Sequence, residues 1–306
     1  MTTQPIRPLG ATGLNVTAIC VGCAELGDMP ETFAYGVPEP EALATIRTIF
    51  AGPFTFIDTA ASYGDGESER RIGLVLRELG SVPANFVVAT KADRNLSTGD
   101  FSGAQMRRSV ERSLTLLGLD TLPICYLHDP EHIGLEAAMA ADGPVAVLQQ
   151  CQREGLIQHL GIAGGPIDMM IRFVETDLFE VAISHNRYTL LNQDADALWD
   201  VCQRHQVAAI NGAPYGSGIL ARGPSAYPRY AYGAASEAYV ERAHALEALC
   251  QRHGVPLAAA ALQFSLRDSR IVSTIVGISK PERVAQTLTL EHLTIPDALW
   301  DEVALL

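Results

Sequence analysis

The strongest constraint on this chain is an alternation of strand-like and helix-like segments that repeats eight times. Short apolar runs occur at TAICVG, FTFID, FVVAT, ICYLH, HLGIA, EVAIS, VAAING and VSTIVG. Between them lie the helical stretches EPEALATIRTIF, SERRIGLVLRELG, SGAQMRRSVERSLTLLGL, PVAVLQQCQREGL, DMMIRFVET and DADALWDVCQRH. A long helical run covers 235–266, and a last helix is expected to start near Ser279. In SERRIGLVLRELG, Ile72, Val75, Leu76 and Leu79 recur at helical spacing. Glu69, Arg70, Arg71 and Arg77 fill the other face, and Gly80 stops the helix. The strand runs are apolar on both faces, as parallel strands covered by helices should be. Eight such units in 306 residues leave a closed (β/α)8 TIM barrel or an open doubly wound sheet.

Glycine spacing decides between them. A dinucleotide-binding open sheet wants G-x-G-x-x-G between its first strand and helix. That junction here reads VGCAELGDMPETF, which has no such pattern. The expectation is an α/β fold, a TIM barrel forming one domain over 1–306. RPLGATGLNV, ahead of the first barrel strand, predicts an N-terminal β-hairpin turning at Ala11-Thr12-Gly13 and placed to plug the barrel bottom. Residues 211–236, rich in Gly, Pro and Tyr, read as a functional loop.

Composition narrows the partners. The chain is 48% hydrophobic, enough for a large core, and its net charge of -13 argues against nucleic acid or an anionic membrane. The N-terminus lacks a signal-peptide layout, and the apolar run VPLAAAALQFSL is too short to span a bilayer. A cytoplasmic protein is expected, a monomer or small homo-oligomer acting on a small molecule. No metal site is expected. Cys20 and Cys23 form a C-x-x-C on a strand with no second ligand pair, and Cys125, Cys151, Cys202 and Cys250 are scattered. His128 and His132 are four apart, but Pro130 between them disfavours a regular helix.

Four polar residues carry the chemistry. Asp58 ends FTFID, Lys91 ends FVVATK and His128 ends PICYLH, so a barrel brings them together on its C-terminal face. Tyr63, in the loop after Asp58, is within reach of them. Lys91 beside Tyr63 is expected to lower the phenol pKa, with Asp58 holding the ammonium. Tyr63 then exchanges a proton with a carbonyl or alcohol oxygen, and His128 donates a second hydrogen bond to it. None of these groups carries hydride, so a nicotinamide cofactor, NADP or NAD, is required.

With these residues in place, the chain resembles the aldo-keto reductases. FIDTAASYGDGESERRIG looks like that family's segment after its second strand, and TKAD and YLHDP are similar to its Lys and His segments. The resemblance implies Tyr63 as proton donor or acceptor, Lys91 and Asp58 as its tuning pair, and His128 as substrate orienter. RYTLLNQ and GESERRIG resemble the bacterial aldose 1-dehydrogenases of the L-fucose, D-threo-aldose and galactose type, with a pyridoxal dehydrogenase as a similar neighbour.

The resemblance also implies a cofactor extended over the barrel mouth. TIVGISKPERVAQT resembles the family's adenosine-phosphate site, with Arg283 at the position that touches a ribose 2′-phosphate. Ser279-Lys280-Pro281-Glu282 reads as a capping box that makes a helix N-terminal anion site. Gly277 stands where many members carry Lys, and Thr287 where Asn is usual, which leaves NAD open. After the fifth strand GIAGG replaces G-x-S-N, so Ala163 supplies backbone only and His185 or Asn186 takes over the carboxamide contact. APYGSGIL brings Tyr215 to stack on the nicotinamide, with Ser217, Gly218 and Leu220 along the pyrophosphate. Gly22 and Cys23 complete the expected contacts at the first strand's end.

The activity implied is conversion of an aldose to its lactone. Aldehyde or pyridoxal chemistry on the same residues is the alternative. Two readings of other classes stand beside it: a Schiff-base aldolase using Lys91, and a non-enzymatic cofactor-sensing regulatory subunit.

Overall fold

Each apolar run predicted as a barrel strand forms one, and all eight pair in parallel. In the computed structural model, which describes residues 4–306, the strands are β3 (Ile19–Gly22), β4 (Phe56–Asp58), β5 (Val87–Ala92), β6 (Leu122–His128), β7 (Ile157–Gly164), β8 (Val181–His185), β9 (Ala208–Gly212) and β12 (Ile271–Gly277). They close in the order β12-β3-β4-β5-β6-β7-β8-β9. The parallel sheet leaves no edge, and helices cover its outside.

The predicted hairpin is present as β1 (Ile6–Pro8) and β2 (Asn15–Thr17), paired antiparallel. It closes the N-terminal end of the barrel. Leu9 and Val16 join Cys20, Phe56, Ile124, Tyr126 and Ile210 in the barrel's inner core. The Arg7 guanidinium donates to the Ile271 carbonyl at 3.0 Å, tying the hairpin to β12. A larger core of aliphatic and aromatic side chains fills the layer between strands and helices.

Four local expectations are corrected. The helix Glu67–Leu79 buries Glu69 and Arg71, which periodicity put on its polar face. It is wedged between the barrel and two helical neighbours, so its buried arc is wider than its apolar stripe. The Arg71 guanidinium compensates by donating to the carbonyls of Leu26, at 2.7 Å, and Val37, at 2.9 Å. The run over 235–266 is two helices, Glu237–Arg252 and Leu257–Leu266. Gly254, at φ +68°, and Pro256 break it, since the first adopts a left-handed backbone and the second has no N–H to donate. The last stretch is also two helices, Glu282–His292 and Asp297–Val303. No capping box forms at Ser279. The helix starts at Glu282 with Pro281 as its N-cap and no side-chain cap, because Ser279 turns inward and is buried.

The predicted functional loop is structured. After β9 it makes a 3-10 turn (Gly216–Gly218), a short helix (Ile219–Arg222) and a small hairpin, β10 (Arg229–Tyr230) with β11 (Gly233–Ala234). It meets the segment after β3 across the barrel mouth. Tyr227 Oη donates to the Phe33 carbonyl at 3.1 Å, and the Tyr232 and Phe33 rings meet edge-on at 6.1 Å. All six cysteines are buried and unpaired. Among the described residues, no helix is long and apolar enough to cross a membrane.

Candidate active site

Asp58 is the last residue of β4, Lys91 lies at the end of β5 and His128 is the last residue of β6. These strands are neighbours in the barrel, so the three side chains emerge side by side at its C-terminal mouth. Tyr63 reaches them from the turn after β4. Lys91 is the hub. Its Nζ donates to Asp58 Oδ1, to the Thr59 carbonyl at 2.8 Å and to Tyr63 Oη at 3.1 Å. Three acceptors account for all three protons of an ammonium. Burial alone would lower the Lys91 pKa, but Asp58 and Tyr63 outweigh it and the net shift is upward. A charged amine with no free lone pair is a poor nucleophile, which speaks against the Schiff-base aldolase reading.

Tyr63 departs from expectation in one respect. Burial raises its pKa, and the opposing effect of Lys91 does not bring it back to the ordinary value. The group is therefore a phenol at neutral pH. Because its oxygen accepts from Lys91, its own proton is free to turn into the cavity. The Tyr63 and His128 rings meet edge-on with centroids 5.9 Å apart.

His128 has a partner that sequence reasoning missed. Its Nδ1 lies 2.7 Å from Asp93 Oδ1, and both side chains are buried. Asp93 Oδ2 accepts from the Ser62 backbone N–H at 2.8 Å, next to Tyr63. Burial would lower the His128 pKa, but Asp93 and Asp129 reverse this and raise it. Asp93 follows Lys91 by two residues in TKAD, and that spacing was the only signal available in the sequence.

Asp58, Tyr63, Lys91 and His128 line a cavity of about 390 Å³, within the range of small-molecule sites. Of the cofactor contacts expected from sequence, Gly22, Cys23, Ala163, His185, Tyr215, Ser217, Gly218, Gly277 and Arg283 line it. Asn186, Leu220, Ser279 and Thr287 are buried behind the wall. Asn186 acts indirectly, its carboxamide oxygen accepting from Ser217 Oγ at 3.0 Å. Burial lowers the His185 pKa and keeps its ring neutral. The wall also contains Glu25, Tyr35, Asp129, Arg222 and Tyr232, none of them anticipated.

The donor set fits an extended nicotinamide dinucleotide. Apolar and aromatic groups, Ile183, Ile275 and Tyr215, line the same cavity as the polar quartet and offer surfaces for a flat ring. Arg222 and Arg283 supply positive charge for phosphates in the same cavity. Gly277 leaves backbone only, since a Cβ there would fall 2.1 Å from Glu25 Oε1.

The comparisons with known proteins agree with this geometry. The sequence pattern of the Aldo/keto reductase family matches residues 18–305. The chain is 31% identical to a D-threo-aldose 1-dehydrogenase of Pseudomonas sp, covering 99% of this chain and 97% of that protein. It is 31% identical to an L-galactose dehydrogenase of Arabidopsis thaliana, covering 99% and 94%. Identity to a pyridoxal 4-dehydrogenase of Microbacterium luteolum is 27%, covering 96% and 95%. In structure it resembles the holo form of an aldo-keto reductase from Bacillus halodurans, with a TM-score of 0.78, 20% identity and coverage of 98% and 95%. The barrel, its mouth and this full-length match lead to one conclusion: the chain belongs to the aldo/keto reductase family, as an oxidoreductase of carbonyl and alcohol groups that uses NADP or NAD.

Proposed function

We propose that this enzyme oxidises the C1 hydroxyl of an aldose in its cyclic form to the lactone, and that carbonyl reduction uses the same residues in reverse. One observation carries the reading. The Lys91 ammonium, fixed by Asp58, donates to Tyr63 Oη and so directs the Tyr63 proton into a cavity that His128 shares. A reacting oxygen between Tyr63 and His128 meets two groups able to stabilise it or exchange a proton with it. The bound nicotinamide supplies the hydride acceptor. Tyr215, Ser217, Gly218, Gly277 and Arg283 would hold it, with Ala163 and His185 beside the ring.

An aldose suits the remaining wall. Asp129, His185 and Tyr232 offer acceptors and donors for several hydroxyls around the quartet. Two relatives at 31% identity, named as an aldose and a galactose dehydrogenase, support the same substrate class. Pyridoxal is a second reading, supported by the 27% identical pyridoxal dehydrogenase and by the aromatic groups Tyr35, Tyr215 and Tyr227 in the cavity wall. The proposed working form is a cytoplasmic monomer or small homo-oligomer.

The test is a panel of aldoses, simple aldehydes and pyridoxal, each with NAD and NADP in both directions, read by reduced-nicotinamide absorbance. Turnover of aldoses above the other classes is the expected result. Turnover of pyridoxal alone would replace the aldose reading, and no turnover of any class with either cofactor would refute both.

A further inference from the structure

Glu25 is a carboxylate without a partner in the cavity wall. It opens the short turn Glu25–Gly27 after β3, and its side chain lines the cavity. Among the described residues no side chain donates a hydrogen bond to it and no Lys or Arg forms an ion pair with it. The one donor beside it is its own backbone N–H. A carboxylate drawn out of bulk water without donors is costly, which points to donors supplied by a ligand.

Its surroundings indicate which ligand atoms these are. Burial raises the Glu25 pKa and Arg283 opposes the rise, with no contribution from Lys91 or Asp58. The carboxylate thus belongs to the arginine end of the cavity and not to the catalytic quartet. Burial and the Glu25 charge raise the Tyr35 pKa, while Ser279, Arg283 and Arg222 counter them, so these side chains share one corner. The Arg222 guanidinium stands 5.8 Å from the centre of the Tyr35 ring. The carboxylate also lies over Gly277, where a Cβ would fall 2.1 Å from Oε1 and 2.9 Å from Oε2. A side chain at 277 and the carboxylate as it stands exclude each other, so Gly277 makes room for Glu25. The space that a Lys at 277 would enter is filled by a negative charge.

We propose that Glu25 is a specificity-determining residue that accepts hydrogen bonds from the adenosine ribose hydroxyls of the cofactor and so selects NAD over NADP. The ribose of NAD carries its 2′- and 3′-hydroxyls on adjacent carbons, two O–H donors that match the two oxygens of one carboxylate. NADP has a phosphate on the 2′ oxygen, which removes one donor and sets a like charge against Glu25. Arg283 attracts that phosphate, and Glu25 cancels part of its charge. The inference rests on the use of a nicotinamide dinucleotide and not on the aldose reading.

Direct binding tests this without turnover. Calorimetric titration gives Kd for NAD and for NADP with the wild type, Glu25→Gln and Glu25→Asp. The wild type should bind NAD at least about tenfold more tightly than NADP, the effect of one lost hydrogen bond to a charged group. Glu25→Gln keeps the size and drops the charge. It should weaken NAD, tighten NADP and narrow the ratio of the two by about tenfold or more. Glu25→Asp keeps the charge on a shorter stem, so it should bind NAD more weakly and still discriminate against NADP. A role in packing alone would lower the thermal midpoint and leave the ratio in place. The wild-type ratio needs no variant, and a failed aldose assay leaves every Kd untouched. A wild type that binds NADP as tightly as NAD overturns the proposal. So does a Glu25→Gln ratio within about twofold of the wild type. Equal weakening of both cofactors would put the carboxylate on the nicotinamide ribose, and a change confined to the aldose KM would put it on the substrate. Either result overturns the adenosine assignment.

Discussion

Replacing Glu69 by Gln should make the protein more stable at alkaline pH than the wild type, and not at acid pH. The Glu69 side chain is fully buried on the helix Glu67–Leu79. Its Oε1 accepts from Thr90 Oγ1 at 2.5 Å, while Oε2 has no partner among the described residues. Burial raises the carboxyl pKa from 4.5 to about 7, and the nearby Asp93 pushes the same way. The folded state therefore holds a proton that the unfolded chain releases between these values. With more protons bound in the folded state, stability from this group is complete below pH 4.5 and is lost as pH rises to about 7. That gap is worth about 3 kcal/mol at 1.36 kcal/mol per pH unit. A glutamine fits the same space and has no charge to strand. Urea unfolding at about pH 5 and about pH 8 measures the effect, and the other titrating groups are common to both proteins. The variant should gain up to about 3 kcal/mol on the wild type between the two conditions. Parallel pH dependences would refute the reasoning and show that Glu69 is already ionised in the fold.

Three further outcomes are expected. Lys91→Met leaves Asp58 buried without its counter-ion and should destabilise the fold by about 3–5 kcal/mol in urea unfolding, with much of the loss recovered in the Lys91→Met/Asp58→Leu double variant. Gly161→Ala places a Cβ 2.3 Å from Tyr126 Cδ1 inside the barrel, so a cost of about 1–3 kcal/mol should appear as a lower thermal midpoint. Arg283→Ala should raise KM for NADP about tenfold more than KM for NAD, the effect of one lost charge-assisted hydrogen bond to a phosphate.

The barrel was legible because its signal is global. Eight apolar runs and the helices between them must all be placed, which leaves a closed barrel or an open doubly wound sheet, and the absent G-x-G-x-x-G selects the barrel. Asp58, Lys91 and His128 were legible for the same reason, since a residue ending a barrel strand has its position set by topology. Burial on the helix Glu67–Leu79 was not. Periodicity reports which residues share a face, but how wide an arc is covered depends on the neighbouring helices, and Glu69 and Arg71 fall inside that arc. Asp93 was missed because it stands one residue beyond the end of β5, where a carboxylate reads as a loop residue or a cap. Its meaning comes from His128, thirty-five positions away. The capping box failed because Ser279 is drawn into the barrel wall, which no local pattern encodes. The reach of the loop over 211–236 to Thr32 and Phe33 is likewise a long-range contact, set by Arg229 and Tyr227.

The most direct test of the site is Tyr63→Phe, assayed for nicotinamide-dependent oxidation of the best aldose alongside a direct measurement of cofactor affinity. The ring keeps its packing against His128, and only the hydroxyl that Lys91 orients toward the reacting oxygen is lost. Turnover should fall by about two to three orders of magnitude, as when one preorganised donor to a reacting oxygen is removed, while the cofactor binds as before. An undiminished kcat would contradict the central claim that this Lys91-oriented phenol serves the chemistry.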